Sequence, residues 1–328
     1  MRAVVCRAYG LPETLAVADV RRPSAGPGQV HIAVAAAGVN FADTLMIAGT
    51  YQDRPPFPFV LGLEVAGTVV GTGAHVTGLA AGDRVMAALD RGGFAEEVVA
   101  EARDVVVLPP GLSFELAAGF AVAYGTAYGA LAWRARLGAG ETLLVLGAAG
   151  GAGAAAVEIG KAMGARVIAA ASGPEKLAAA VARGADHTID YRREDLRERA
   201  LALTEGRGVD VVFDPVGGEA FDAALRAIAW EGRLVVIGFA SGGVPRPPAN
   251  ILLVKNCGVL GYYWGSYRRH DPARVRAAFE TLMGWVVQGR VHPRVSHRLP
   301  LARAAEALRL LIDRKAMGKA VLITDGGR

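Results

Sequence analysis

The stretch with the clearest chemical meaning is Leu143-Leu144-Val145-Leu146-Gly147-Ala148-Ala149-Gly150-Gly151-Ala152-Gly153. An apolar strand runs into closely spaced glycines, and a helix follows. Where side chains are missing, backbone amides can approach a pyrophosphate, and the start of the helix adds partial positive charge. Such glycines also occur in tight turns that bind nothing, so the context decides. Here the turn lies in a strand–helix–strand unit with further units of the same kind after it. Together they point to a bound dinucleotide.

The next strand ends at Ala169-Ala170-Ala171-Ser172, without a carboxylate. An Asp or Glu at this place binds the ribose diol of NAD and would repel a 2′-phosphate. Its absence admits NADP. Ser172 offers a hydroxyl, Lys176 lies one turn into the following helix, and Tyr191 ends the next strand. Together they could hold a 2′-phosphate, although Lys176 by itself would read equally well as an exposed helix lysine. NADPH is the expected cofactor.

The elements that must position these residues come in two patterns. Up to about residue 110 the chain reads as strand and turn, with strands at 29–34, 65–70, 83–86 and 95–99 punctuated by Gly and Pro. This predicts a compact, barrel-like β domain. From about Glu115 apolar strands at 142–146, 166–171, 187–190, 209–213 and 233–237 alternate with helices at 152–163, 174–183, 194–204 and 219–230. That alternation predicts a parallel sheet covered on both faces. A helix over 273–287, an extended run over 291–299, a helix over 302–314 and a strand over 320–323 do not continue the pattern. They are expected to return to the first domain.

Composition excludes several classes. With 328 residues, 52% of them hydrophobic and 20% charged, the chain can fold as two ordinary domains. The net charge is +5, but the arginines are scattered and their pairs, Arg192-Arg193 and Arg268-Arg269, are short. No nucleic-acid partner is expected. Cys6 and Cys257 are too few for a disulfide framework or a cysteine-rich zinc site, and the six histidines show no metal spacing. No metal is expected. No stretch reaches the roughly 20 apolar residues of a membrane span. The first nine residues carry Arg2 and Arg7 and lack the apolar core of a secretory signal. A cytoplasmic location is the expectation.

Further segments carry a resemblance. They are Ala37-Gly38-Val39-Asn40-Phe41-Ala42-Asp43, Gly62-Leu63-Glu64, Gly82-Asp83-Arg84-Val85 and Tyr124-Gly125-Thr126-Ala127. After the glycine turn come Phe213-Asp214-Pro215-Val216-Gly217-Gly218, Ile237-Gly238-Phe239-Ala240-Ser241-Gly242 and Gly318-Lys319. In this order they resemble the medium-chain dehydrogenase/reductase superfamily, and within it the zinc-free NADPH:quinone oxidoreductase (zeta-crystallin-like) branch. The resemblance covers essentially the whole chain. It implies an α/β protein with a GroES-like, β-rich catalytic domain over 1–120 and 264–328. A doubly wound Rossmann domain for NADPH, 121–263, is inserted into it. Zinc-dependent members carry a cysteine where this chain has Asn40 and a histidine where it has Leu63, and their cysteine-rich lobe is missing here. Neither replacement is a usual zinc ligand, and Glu64 makes no site by itself. Without a Lewis acid, the resemblance implies hydride delivery to an already electrophilic acceptor, a quinone or an activated alkene.

The same resemblance implies a set of site residues. Asn40 and Asp43 would lie near the nicotinamide, and Tyr51 would line the acceptor pocket, where Leu45 replaces a second tyrosine of some relatives. Thr126 would lie by the nicotinamide end, and Gly150, Gly151 and Ala152 by the pyrophosphate. Ser172, Lys176 and Tyr191 match the 2′-phosphate site; Phe239, Ala240 and Ser241 match the ribose site; Arg314 matches a basic residue that reaches the cofactor. Taken as residues alone, Asn40 and Asp43 could cap or turn the chain, and Arg314 could be a helix-end cation. The run Tyr262-Tyr263-Trp264 could line a pocket or, as favoured here, a subunit interface. In the superfamily the last Rossmann strand often pairs across a dimer axis, which implies a homodimer through the Rossmann domain. The expected function is zinc-independent hydride transfer from NADPH to a quinone, with a proton from solvent or Tyr51. One alternative is an enoyl or alkenal reductase acting on α,β-unsaturated carbonyls or thioesters, which Leu45 favours. Another is an NADPH-binding protein with a crystallin-like or RNA-binding role.

Overall fold

The computed structural model describes residues 1–325, which divide into two compact units. The first comprises Met1–Val122, Tyr267–Met283 and the described residues from Pro293 onward. The second comprises Ala123–Ser266 and Gly284–His292. No helix among the described residues is long and apolar enough to cross a membrane.

The first unit opens with β1 (Arg2–Cys6), β2 (Ala16–Asp19), β3 (Gln29–Val39), α1 (Phe41–Ile47) and β4 (Phe59–Val60). It continues with β5 (Glu64–Thr72), β6 (Arg84–Ala88), β7 (Glu97–Glu101), β8 (Val105–Val107) and α2 (Phe114–Ala118). At the start of β3, Val30, Ile32 and Val34 are buried and alternate with half-buried His31 and Ala33. This period of two turns one face to the core, which includes Met46, Leu61 and Phe94. β3 pairs antiparallel with β5 and β7.

The second unit holds α3 (Ala121–Tyr128, shared with the end of the first), β9 (Thr142–Leu146), α4 (Gly151–Ala162), β10 (Arg166–Ala171) and α5 (Pro174–Val181). Then follow β11 (His187–Asp190), α6 (Leu196–Leu203), β12 (Val209–Asp214), α7 (Gly218–Arg226) and β13 (Ile228–Val236). α8 (Ala249–Lys255), β14 (Gly258–Gly261) and the start of α9 (Trp264–His270, which belongs to the first unit from Tyr267) complete the run. The six strands form one parallel sheet in the order β11-β10-β9-β12-β13-β14. The order reverses beside β9, and in such sheets ligands bind at the carboxyl ends of the strands around that reversal. One expected helix is too long: 219–230 stops at Arg226, because residues 228–236 pair with β12 as β13.

The tail adds α10 (Pro272–Val287), β15 (Val295–Pro300), α11 (Ala304–Ile312) and β16 (Lys319–Ile323). β16 lies antiparallel to β3, with Ala320 opposite Val39, so the chain does return to its first sheet. The division of the tail is finer than a single cut near residue 264. Residues 284–292 pack with the second unit because the Arg290 guanidinium donates to the Ala162 carbonyl and the His292 amide donates to Glu158 Oε2 at 3.0 Å.

Candidate functional site

The glycine turn is built as its composition requires. β9 is buried throughout and ends at Leu146, and the Gly150 amide donates back to the Gly147 carbonyl at 3.0 Å. A side chain at Gly153 would overlap that same Gly147 oxygen, so only glycine lets α4 pack this closely on the turn. Gly150 is the N-cap of α4 and provides no side-chain cap. The first amides of the helix are thereby left for a ligand. Gly147, Gly150, Gly151 and Ala152 are all half-buried, so the turn stays open to solvent. Thr126 lies in α3, also half-buried.

Two further loops leave the carboxyl edge of the same sheet. Asp214 closes β12, and its Oδ1 accepts the amides of Val216 at 2.7 Å and Gly217 at 2.9 Å. Burial pushes its carboxyl above the usual range, against those two amides. The Ala240 amide donates to the Pro215 carbonyl at 3.1 Å and the Ser241 amide to the Val216 carbonyl at 2.9 Å. The segment carrying Phe239, Ala240 and Ser241 is therefore tied to the loop after β12. Phe239 is exposed.

Ser172 follows β10 and Tyr191 follows β11, on neighbouring strands in which Ala171 pairs with Asp190. Lys176 lies in the first turn of α5. The sequence reading brought these three together, and the sheet does so too. It missed Asp190, whose buried Oδ1 accepts the amides of Gly173 and Arg192, both at 3.1 Å. These amides, Gly173 first, hold the carboxyl below its usual range.

In the first unit, Asn40 is the N-cap that links β3 to α1. Its amide donates to Asp43 Oδ2 at 2.8 Å, so Asp43 fastens the start of the helix. Asp43 is fully buried, and that burial pushes its carboxyl up to about 7, against the Asn40 amide and the Lys319 charge. The Asn40 carboxamide, at the N-cap of α1, also reaches partners outside the helix. Its Nδ2 donates to Glu64 Oε1 at 2.9 Å, and its Oδ1 accepts from Lys319 Nζ at 2.7 Å. Lys319 also donates to Glu64 Oε1 at 2.6 Å and to the Val39 carbonyl at 3.1 Å. Glu64 Oε2 accepts the Val122 amide at 2.8 Å. A side chain at Gly38 would overlap Glu64 Oε1 and the Ala118 carbonyl, which is why this position is glycine. The lysine's part went unread in the sequence, since Gly318-Lys319 served there only as a motif.

Tyr51 is half-buried and packs on the first unit's core, and its amide donates to the Leu45 carbonyl at 3.1 Å. Arg314 is exposed, with φ of 58°, in the turn that closes α11. The aromatic run departs from expectation. Tyr262 and Trp264 are buried inside the second unit, where the Tyr262 hydroxyl donates to the Gly125 carbonyl at 3.4 Å. Only Tyr263, 37% exposed, is free to serve a surface.

Two family models match the chain: the alcohol dehydrogenase GroES-like domain over residues 26–110 and the zinc-binding dehydrogenase over residues 151–286. The quinone oxidoreductase-like protein 2 homolog of Nematostella vectensis is 42% identical over 98% of this chain and 89% of its own length. The quinone oxidoreductase of Pseudomonas aeruginosa is 37% identical over 96% of this chain and 97% of its own. The crystal structure of Escherichia coli quinone oxidoreductase complexed with NADPH superposes with a TM-score of 0.93 at 30% identity, covering 98% of this chain and all of that one.

The second family description implies zinc, and the residues here do not fit it. Among the described residues no group of three or more His, Cys, Asp or Glu is arranged to hold a metal ion. The acceptors that converge beside Asn40 are already taken by an ammonium group.

Proposed function

Because the chain belongs to the quinone oxidoreductase branch of the medium-chain dehydrogenase/reductase superfamily, we propose that it is an NADPH-dependent oxidoreductase that uses no zinc and reduces a quinone. The observation that carries the cofactor assignment is the uncapped start of α4 behind a glycine turn, beside a strand that ends without a carboxylate. In this reading the amides of Gly150, Gly151 and Ala152 hold the pyrophosphate. Ser172, Lys176 and Tyr191 hold the 2′-phosphate. Thr126, Phe239, Ala240 and Ser241 serve the nicotinamide ribose end, and Arg314 is a further cationic contact.

Bound there, NADPH supplies a hydride. The chain's own part is chiefly orientation, which contributes about 7–11 kcal/mol where reacting groups are well aligned. Asn40 meets the reacting pair with a carboxamide whose direction is fixed, and Asp43 acts by holding α1. Tyr51 offers a phenolic proton as an alternative to water. Zinc independence is supported by the donor set around Asn40, and it requires an acceptor that is electrophilic without help, as a quinone is. Leu45, half-buried and accepting the Tyr51 amide on its carbonyl, favours an activated alkene as the second reading.

The reading includes a homodimer through the second unit. β14 is one of the two edge strands of the parallel sheet, β11 being the other. The neighbouring α8 buries no residue and exposes Leu253 and Val254, and Trp230 of β13 is 66% exposed. An open edge flanked by large apolar side chains calls for a covering partner.

The test is steady-state turnover with NADPH or NADH against 1,4-benzoquinone, 1,2-naphthoquinone, 2-enals and an enoyl-CoA, with and without a chelator. The expected result is chelator-insensitive reduction of quinones, faster than of enals and with NADPH preferred. Tight NADPH binding with neither acceptor class reduced would overturn it.

A further inference from the structure

Lys319 carries more than a structural ion pair requires. Its side chain is 7% exposed and its ammonium has three protons, each with an acceptor: Glu64 Oε1, Asn40 Oδ1 and the Val39 carbonyl. Glu64, fully buried, accepts the Asn40 Nδ2 on the same oxygen that takes the lysine. The Asn40 carboxamide is therefore gripped at both ends, its oxygen by a cation and its nitrogen by an anion. Turning it over would face an amide NH2 toward the ammonium and a carbonyl toward the carboxylate, so only one orientation is stable. Three segments remote in sequence meet to achieve this, since Lys319 lies 279 positions from Asn40 and 255 from Glu64.

We infer that Lys319 is the resident cation of this site: its ammonium fills the place among the oxygen acceptors that a metal ion would need, and with Glu64 it is a positioning residue that fixes the Asn40 carboxamide for the reaction. The inference rests on the reading that Asn40 serves the reduction. It accounts for the misfit between a zinc-binding family description and a zinc-free donor set by naming what stands there instead. A permanently tethered cation costs no binding equilibrium and leaves no open coordination position, so it orients a neighbour without activating an acceptor oxygen.

The experiment has an arm on the unaltered chain and an arm on variants. Metal content of the purified protein is measured by elemental analysis, and melting is followed as Zn2+ or Mg2+ is added. The expected result is no stoichiometric metal and an unmoved melting temperature; stoichiometric zinc together with zinc-dependent stabilisation overturns the inference. For the second arm, Lys319→Met alone would leave Glu64 buried without its cation. The paired variant Lys319→Met/Glu64→Gln removes both charges and retains an acceptor for the Val122 amide. It is expected to melt cooperatively, to keep its KM for NADPH and to lose kcat by ~10-fold to 10²-fold, the scale of a misoriented group. Lys319→Arg, which keeps the charge, retains more of kcat than the paired variant. Asn40→Ala separates the two layers. If it leaves kcat unchanged, the reading of Asn40 fails and the positioning role fails with it. If Asn40→Ala lowers kcat and the folded paired variant does not, the role of Lys319 fails alone. The metal arm needs no variant and decides the resident-cation claim even where a variant does not fold.

Discussion

The carboxylate of Asp190 accepts the Gly173 amide at 3.1 Å and so ties the end of β11 to the turn that follows β10. The same oxygen takes the Arg192 amide. Ser172 and Tyr191 flank this tie, and Lys176 lies one helical turn beyond it. An acid close to the proposed phosphate site would normally repel the ligand, but here Oδ1 is turned onto two backbone amides. Replacing Asp190 with Ala is expected to lower the NADPH-to-NADH ratio of kcat/KM by about tenfold, the equivalent of one charge-assisted hydrogen bond. Asp190→Asn keeps the acceptor and should keep the preference. Because the measured quantity is a ratio, the folded fraction of either variant cancels from it.

Asp43 predicts a dependence of stability on pH. Its carboxyl is raised from 3.8 to about 7 by burial. A carboxyl with a raised folded pKa favours the folded state at low pH, and that contribution is lost as pH rises from about 3.8 through about 7. Asp43→Asn removes the titration. The melting temperature of the variant relative to the parent should therefore climb between pH 4 and pH 7, about the two pKa values, and level off above. A constant difference across that window would contradict the assignment.

Glu158 anchors a buried network in the second unit. It accepts from the Tyr124 hydroxyl at 2.9 Å, from Arg183 at 2.5 Å and from the His292 amide at 3.0 Å. Burial, with the Glu158 charge beside it, raises the Tyr124 phenol well above its ordinary pKa, so it stays a proton donor across the working range. Arg183→Met strands the carboxylate and is expected to cost about 3–5 kcal/mol. Tyr124→Phe removes one hydrogen bond and should cost about 1 kcal/mol. Chemical denaturation measures both.

The proposed dimer makes a separate prediction. Leu253→Glu and Val254→Glu on α8 introduce charge on two residues that are 78% and 77% exposed and bury nothing in the monomer. Sedimentation velocity should show the double variant as a monomer with the parent's melting behaviour, while the parent sediments as a dimer. A parent that is monomeric at micromolar concentration removes the proposal.

Much of this was legible in the sequence because the signals are local. The alternation of strands and helices after Glu115 encodes the parallel sheet, and the turn Gly147–Gly153 carries its own chemistry in missing side chains. The gaps have physical reasons. Lys319 meets Asn40 across 279 positions, and nothing near Gly318 announces the partner. Asp190 went unread because its role lies in the backbone amides of Gly173 and Arg192 that its carboxylate accepts, which no one-dimensional pattern announces. The aromatic run at Tyr262 reads as a surface because apolar rings suit either role, whereas the Gly125 carbonyl that receives its hydroxyl lies 137 positions away.

The short segment Gly284–His292 has a practical consequence for anyone recombining this chain with its relatives. A chimera that exchanges residues 123–266 as a block would set one parent's Ala162 and Glu158 against the other parent's Arg290 and His292, the four residues that make these contacts. Crossovers that carry the nine-residue piece along with the larger block keep both sides of these contacts from one parent, so the packing unit here is discontinuous in sequence.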